Sequence, residues 1–138
     1  MKRNLFAVAL ALLLAAGVLS GCEEDLLAPG ADPSTAIQIT VGTPYNGSIA
    51  AFGIQFLKFT ATNSTHTGTL SNIATDFSWA LCASSACTSA AQICDNDPSG
   101  NTPETCQMTS LASSATYYLR VDEWNNVAGN YTMSLVTP

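Results

Sequence analysis

The sequence predicts an all-β protein whose strands form an antiparallel sandwich of two sheets. Beyond residue 36 the chain consists of short runs rich in Ile, Val, Phe, Thr, Tyr and Trp, separated by clusters of Gly, Asn, Pro and Ser. Apolar and polar residues alternate along several runs, as they do in a strand with one buried face. No segment shows a sustained helical period. These three observations together predict the fold class.

The first element, residues 1–21, is predicted to be a lipoprotein signal peptide. Lys2 and Arg3 precede a 15-residue apolar run, residues 5–19, and small residues follow it. This run is shorter than the roughly 20 apolar residues that span a bilayer, so a permanent membrane helix is not expected. The segment LSGC resembles the lipobox of bacterial lipoproteins, which implies cleavage before Cys22 and acylation of this cysteine, for example with palmitate. An ordinary signal peptide with a chance cysteine is the alternative.

The second element, residues 22–35, is predicted to be a lipidated, flexible tether. Its sequence EEDLLAPGADPS is acidic and then rich in Pro, Gly and Ala. The folded domain is expected to span residues 36–138. Without residues 1–21 the chain has 117 residues, which is a normal size for one domain.

The charge of the mature chain narrows its possible partners. Only Lys58 and Arg120 remain as basic side chains against ten acidic ones, so the net side-chain charge is −8. Such a chain offers no electrostatic surface for nucleic acid. It is also repelled by anionic lipids, so contact with the membrane is expected through the lipid at Cys22.

Nine strands are predicted in the domain. They span residues 37–41, 47–50, 55–61, 66–73, 77–82, 91–94, 105–111, 116–123 and 130–136. Alternation is clearest in the last two strands and in the third, where it predicts these buried residues: Leu57, Phe59, Ala61, Tyr117, Leu119, Val121, Tyr131, Met133 and Leu135.

The run ATYYLRVDEW, followed by GNYTMSLV, resembles the closing strands of the bacterial pre-peptidase C-terminal domain. Upstream, PYNGSIA, FLKFTAT and DFSWALC are similar to earlier parts of that domain. The resemblance implies a jelly-roll-like β-sandwich that serves as an accessory module of secreted enzymes and sometimes stands alone. Two features depart from the pattern: Ala115 replaces the usual Gly, and the four cysteines are additional. No protease domain accompanies the match in this sequence.

Four cysteines besides Cys22 predict two disulfide bonds in an exported protein. The favoured pairing is Cys82 with Cys87 and Cys94 with Cys106, because each pair closes a short polar loop. Pairing of Cys82 with Cys94 and of Cys87 with Cys106 is the rival. A zinc site is not expected, since the chain has no CxxC and only one histidine.

The loop CDNDPSGNTPETC resembles a calcium loop in spacing but has Cys106 where the bidentate acid belongs. The preferred interpretation is a polar turn closed by a disulfide, with no cofactor. Calcium held by Asp95, Asp97 and Asn101 is the alternative.

Catalytic signals are weak. His66 lies in the polar segment NSTHTG and is expected to be an exposed turn residue; a small hydrolase with His66 as base is the enzyme alternative, but no GxSxG motif supports it. Asp122 and Glu123 are adjacent on a strand and point to opposite faces, so they do not converge as a glycosidase pair. The sequence therefore predicts that the protein is not an enzyme.

The aromatic residues supply the best binding candidate. Trp79 lies in the middle of a strand and is expected in the core or on a partly buried flank. Trp124 and Tyr118 share a face by parity, and Asn125 follows Trp124, so these three residues form a candidate carbohydrate site.

The predicted function is that of a non-catalytic, lipid-anchored module outside the cytoplasm, with a binding or envelope-structural role. A carbohydrate-binding module is the alternative. The expected partners are the membrane, through the lipid, and a glycan or an envelope protein. The acidic residues after Cys22 resemble lipoprotein export tags, and the outer membrane is the expected location, on either its periplasmic or its surface face.

Overall fold

The computed structural model describes residues 28–96 and 100–138, which form a sandwich of two β-sheets and confirm the predicted fold class. The predicted signal peptide, residues 1–21, and Cys22 lie outside the described residues. A short 3₁₀-helix, Pro33–Thr35, precedes nine strands: β1 (Ile37–Gln38), β2 (Tyr45–Ile49), β3 (Ile54–Thr60), β4 (His66–Ser71), β5 (Phe77–Cys82), β6 (Ala90–Cys94), β7 (Glu104–Met108), β8 (Thr116–Glu123) and β9 (Gly129–Val136).

The strand order is that of a jelly roll. One sheet has the order β1-β3-β8-β5-β6 and the other the order β2-β9-β4-β7. Four antiparallel pairs are nested within one another, β2 with β9, β3 with β8, β4 with β7 and β5 with β6, as when one long hairpin is rolled up. The exception to antiparallel pairing is the two-residue strand β1, which runs parallel to β3.

The core lies between the sheets and follows the predicted alternation. Leu57, Phe59, Leu119, Val121 and the inward residues of β9 are buried. Trp79 is also buried, as expected, and its Nε1 donates a hydrogen bond to the carbonyl oxygen of Glu104 at 3.1 Å. A Cβ at Gly68 would lie 2.5 Å from Cη2 of Trp79, so only glycine lets the indole cross β4 this closely.

The segment before the first strand corrects one prediction. Residues 28–35 were expected to belong to a flexible tether, but they fold against β3. The carbonyl oxygen of Gly30 accepts a hydrogen bond from the amide of Phe56 at 2.8 Å, and Asp32 caps the 3₁₀-helix by accepting from Ser34 and Thr35. The capping bonds are local, whereas Phe56 lies 26 residues from Gly30 in the chain, and composition alone reveals neither contact. The folded unit therefore includes residues 28–35.

Two disulfide bonds join Cys82 to Cys87 and Cys94 to Cys106, which is the favoured pairing. The first closes the loop between β5 and β6, and the second ties the end of β6 in one sheet to β7 in the other. Among the residues described, no helix has both the length and the apolar character required to cross a membrane.

Candidate binding site

Three loops that cross between the sheets meet at one end of the sandwich. They are residues 50–53 between β2 and β3, residues 72–76 between β4 and β5, and residues 124–128 between β8 and β9. Glu123, the last residue of β8, contacts all three. We call this arrangement the loop junction.

The carboxylate of Glu123 holds the loop junction together. Its Oε2 accepts a hydrogen bond from the amide of Phe52 at 2.7 Å, and its Oε1 accepts from the amide of Asn125 at 2.8 Å, from the amide of Val127 at 3.4 Å and from the Thr75 hydroxyl at 3.3 Å. Glu123 is only 3% exposed. A single buried carboxylate thus satisfies backbone donors from two of the three loops.

The hydrogen bonds also decide the charge of Glu123. Burial alone favours the protonated acid, but the amide groups of Phe52, Asn125 and Val127 and the Thr75 hydroxyl stabilise the carboxylate more strongly. The pKa of Glu123 is therefore below its ordinary value, and the group is ionised at neutral pH.

Phe52 is presented to solvent by a strained backbone. It occupies the third position of the turn closed by the hydrogen bond from Gly53 N to Ala50 O, and its φ is +51°. Glycine or asparagine normally supplies a positive φ at this position, and a bulky residue there is uncommon. The Phe52 side chain is nevertheless 65% exposed. The energetic cost of this backbone strain is therefore not offset by burial of the ring inside the domain.

An apolar cleft with a volume of about 220 Å³ lies beside the loop junction, lined by Phe52, Gly53, Ile54, Asp122, Glu123 and Trp124. Trp124 is 56% exposed, but its indole is fixed. Nε1 donates to the Ser78 hydroxyl at 2.9 Å, and its backbone amide donates to the carbonyl oxygen of Asp76 at 3.1 Å. The Trp124 indole is therefore held in one orientation at the cleft.

Asp122 is an acidic residue of the cleft lining that is paired with Arg120. Its Oδ2 accepts a hydrogen bond from Arg120 Nε at 2.9 Å, and the residue is only 6% exposed. Burial raises the pKa of Asp122, and the hydrogen bond and charge of Arg120 offset part of that rise. Glu123 hydrogen-bonds the loops instead. The two acids therefore have different partners, in agreement with the prediction that their side chains point to opposite faces of the sheet.

The structure separates two of the residues in the predicted carbohydrate site. Tyr118 and Trp124 both lie on the outer side of the same sheet, as parity predicted, but six residues of extended strand place them about 20 Å apart. Tyr118 lines another groove with the 3₁₀-helix and the loop closed by Cys82 and Cys87. Asn125 stays next to Trp124, where its amide binds Glu123. In the structure, Trp124 instead shares a cleft with Phe52 and Ile54.

The predicted calcium loop lies at the end of β6. Asp95 and Asn101 are exposed, and Asp97 lies outside the described residues. The buried carboxylate of Glu104 accepts a hydrogen bond from the amide of Asn96, so this acid supports the loop backbone. Over residues 28–96 and 100–138, no cluster of three His, Cys, Asp or Glu side chains suited to a metal ion is present. Calcium binding here stays a prediction.

His66 corrects a second prediction, because it is buried on β4 and not exposed in a turn. Its exposure is 0%, its ring packs 5.6 Å from that of Phe59, and its Nε2 accepts a hydrogen bond from the amide of Thr62 at 3.3 Å. No described residue hydrogen-bonds its Nδ1. Burial lowers the pKa of His66. A substrate cannot reach this ring, so the geometry does not support its use as a general base.

The sequence interpretation overlooked Phe52 and Ile54. A signal was present in AAFGIQF, where an aromatic residue and a glycine fall between two strands at a position that favours small or polar turn residues. That pattern indicates a turn carrying an exposed aromatic side chain. Its proximity to Trp124 depends on the pairing of β3 with β8, in which Ile54 lies opposite Asp122.

Comparison with known proteins shows the fold. No protein-family model and no curated protein matches the chain, whereas 11 chains of solved structure match it. One is the pre-peptidase C-terminal domain of collagenase from Bacillus anthracis, which is 21% identical with a TM-score of 0.55; the match covers 72% of this chain and 93% of that chain. Another is PliG of Aeromonas hydrophila, a periplasmic inhibitor of g-type lysozyme, which is 16% identical with a TM-score of 0.47 and coverages of 72% and 96%. The first match confirms the predicted resemblance at the level of the β-sandwich fold.

Proposed function

We propose that this protein is a non-catalytic, lipid-anchored module of the cell envelope that binds an apolar segment of another envelope protein in the cleft formed by Phe52, Ile54 and Trp124. The carrying observation is the exposure of Phe52 on a strained, positive-φ backbone that the buried carboxylate of Glu123 holds in place. Exposed apolar side chains that are fixed in advance lose little entropy on binding, and aromatic residues of this kind often dominate interface energetics.

Two features support a location outside the cytoplasm. Disulfide bonds persist in oxidising compartments, and both bonds of this domain close loops at its surface. The predicted signal peptide with its lipobox-like end agrees with that location and supplies Cys22 as the lipid attachment site. The outer membrane is the proposed site of anchoring.

The absence of catalysis is supported by the roles of the titratable side chains described above. His66 is buried in the core, the carboxylate of Glu123 accepts hydrogen bonds from three loops, and Asp122 is paired with Arg120. The resemblance to the pre-peptidase C-terminal domain also implies an accessory module rather than an enzyme.

Lipidation is tested directly by growing the native host with an alkyne fatty acid and detecting the labelled protein. The wild-type chain should carry the label and fractionate with membranes, whereas the Cys22→Ala variant should carry none. Equal labelling of both chains would contradict the proposed anchor.

The binding cleft is tested by photocross-linking in intact cells. A photoreactive phenylalanine at position 52 should form a discrete protein adduct, and this adduct should weaken when Trp124→Ala is added. The same probe at Ile93, an exposed apolar residue on the edge strand β6, is the matched control. Adducts of equal intensity at both positions, or none at position 52, would refute use of the cleft.

Carbohydrate binding at Trp124 is the second candidate, favoured by the exposed indole that Ser78 holds in one orientation. It predicts retention on a glycan array that is lost in Trp124→Ala. The loss of Tyr118 from the site and the apolar nature of Phe52 and Ile54 make a protein segment the better-supported ligand.

A further inference from the structure

A second, polar groove runs along the edge strand β2, on the sheet that contains β9. Its volume is about 510 Å³, more than twice that of the apolar cleft. Its lining consists of amide, hydroxyl and phenol side chains together with one glycine: Tyr45, Asn46, Gly47, Ser48, Gln55, Asn72, Asn130, Tyr131 and Thr132. None of these lining residues carries a charge at neutral pH, in a chain whose net charge is −6. The groove therefore suits a neutral, hydrogen-bonding ligand.

A chain of hydrogen bonds orients two of its amides. Asn72 Nδ2 donates to the Thr132 hydroxyl at 2.9 Å, and that hydroxyl donates to Asn46 Oδ1 at 2.8 Å. This direction leaves an acceptor, Asn72 Oδ1, at one end and a donor, Asn46 Nδ2, at the other. Neither atom hydrogen-bonds another residue within the described part of the chain. Thr132 is buried, so the intermediate hydroxyl is shielded from competition with water.

A third amide of the groove lining, that of Gln55, is held by Tyr131. Burial raises the pKa of Tyr131 well above its ordinary value, so its hydroxyl stays protonated and donates to Oε1 of Gln55. Because Oε1 is occupied, Gln55 presents Nε2 as a donor. A Cβ at Gly47 would lie 2.4 Å from the Tyr131 ring, so the absence of a side chain lets this ring pass beneath the edge strand. Tyr45 remains partly exposed beside it, 6.2 Å between ring centroids.

From this juxtaposition we propose that the β2 groove is a binding site for a neutral carbohydrate, separate from the apolar cleft. Neighbouring hydroxyls of a sugar each donate and accept, which matches the donor of Asn46 and the acceptor of Asn72. Tyr45 and Asn46 are adjacent on β2 and point to opposite faces of its sheet, so the contacts with the sugar are made by the asparagine side chains and not by the Tyr45 ring. Anionic glycans gain no ion pair here and are repelled by the acidic chain as a whole.

The test is an NMR titration of the ¹⁵N-labelled mature chain with neutral cello-, malto- and chito-oligosaccharides, with heparin as the anionic comparison. At least one neutral series should shift the side-chain amide signals of Asn46 and Gln55. Asn46→Ala should weaken that binding roughly three- to tenfold, the change expected from one lost hydrogen bond. Gln107→Ala is the matched control, since Gln107 is an exposed amide on β7 at the other edge of the same sheet.

A pair of substitutions at Thr132 keeps the test valid if Asn46→Ala fails to fold. Thr132→Ser retains the hydroxyl and should bind as wild type, whereas Thr132→Val has similar volume without it and should bind more weakly. Failure of every neutral oligosaccharide to shift these signals, or stronger binding of heparin, would overturn the proposal. Shifts confined to residues 124–128 would also overturn it and would support the Trp124 site instead. The cross-linking result at position 52 is independent of each of these outcomes.

Discussion

Replacing Glu123 with glutamine removes one negative charge and one acceptor oxygen from the loop junction without changing side-chain size. Three donors meet Oε1 and one donor, the amide of Phe52, meets Oε2. In the variant, the carboxamide oxygen can accept the three hydrogen bonds that Oε1 accepts in the wild type. Its NH₂ group then faces the amide of Phe52, and two donors cannot form a hydrogen bond. The loss of one hydrogen bond to a charged acceptor costs about 1.5–3 kcal/mol. For a domain of this size, 2 kcal/mol corresponds to a decrease in melting temperature of roughly 10 °C.

The pH dependence makes this prediction specific. Because the pKa of Glu123 lies below its ordinary value of 4.5, its contribution is fully present above that value and is lost as pH falls through the folded-state pKa. Urea unfolding should therefore show the full difference between wild type and Glu123→Gln at neutral pH and a smaller one in acid.

The neighbouring acid is the matched control for the glutamine variant. Burial raises the pKa of Asp122 above its ordinary value of 3.8, so its charge weakens the fold at neutral pH and protonation relieves this penalty. The Asp122→Asn variant should stay within about 1 kcal/mol of wild type at neutral pH, because its lost partner, Arg120, is partly exposed. Its stability relative to wild type should fall in acid, opposite to the trend for Glu123→Gln. A Glu123→Gln variant as stable as wild type, or a difference independent of pH, would refute the role assigned to this carboxylate.

Three further predictions concern the core and the disulfides. NMR titration of His66 should give a pKa below its ordinary value of 6.5 because burial disfavours the imidazolium, so stability should decrease as pH falls below that value; an unshifted pKa would contradict its burial. Gly68→Ala should cost about 1–3 kcal/mol in urea unfolding, because the new methyl group meets the Trp79 ring, and a neutral effect would argue against this contact. Non-reducing peptide mapping should find Cys94 joined to Cys106, and a peptide that joins Cys82 to Cys94 would refute the pairing. Replacing both Cys94 and Cys106 with Ser should lower the free energy of unfolding by about 3 kcal/mol, and the same change at Cys82 and Cys87, which close a shorter loop, by about 2 kcal/mol.

The nine strands were predictable because their signals are local. Alternation along residues 116–123 and 130–136 reflects burial on one face, and both strands appear at nearly those bounds. His66 was misplaced because its polar neighbours indicate a turn, while pairing of β4 with β7 and β9 buries it. Such pairing joins residues that are far apart in the chain, so it cannot be predicted from local composition.

The candidate site was harder to predict than the strands. Parity gave the correct face for Tyr118 and Trp124, but parity does not say how far apart two residues on that face lie. The importance of Glu123 arises from loops 71 and 48 residues distant in sequence. The conformation of Phe52 likewise depends on this carboxylate, because a positive φ at phenylalanine is not a property that its own sequence context favours.

The folded segment at residues 28–31 has a consequence for orientation. Ala28 and Gly30 line a groove with Gly53 and Ile54, so the chain enters the domain on the side of the apolar cleft. If the proposed lipid is at Cys22, five residues separate it from Ala28, and even a fully extended chain spans only about 20 Å from Cys22 to Ala28. The apolar cleft would then face the bilayer. Membrane-proximal segments of other proteins could reach it, whereas a large soluble domain would not fit between the cleft and the membrane.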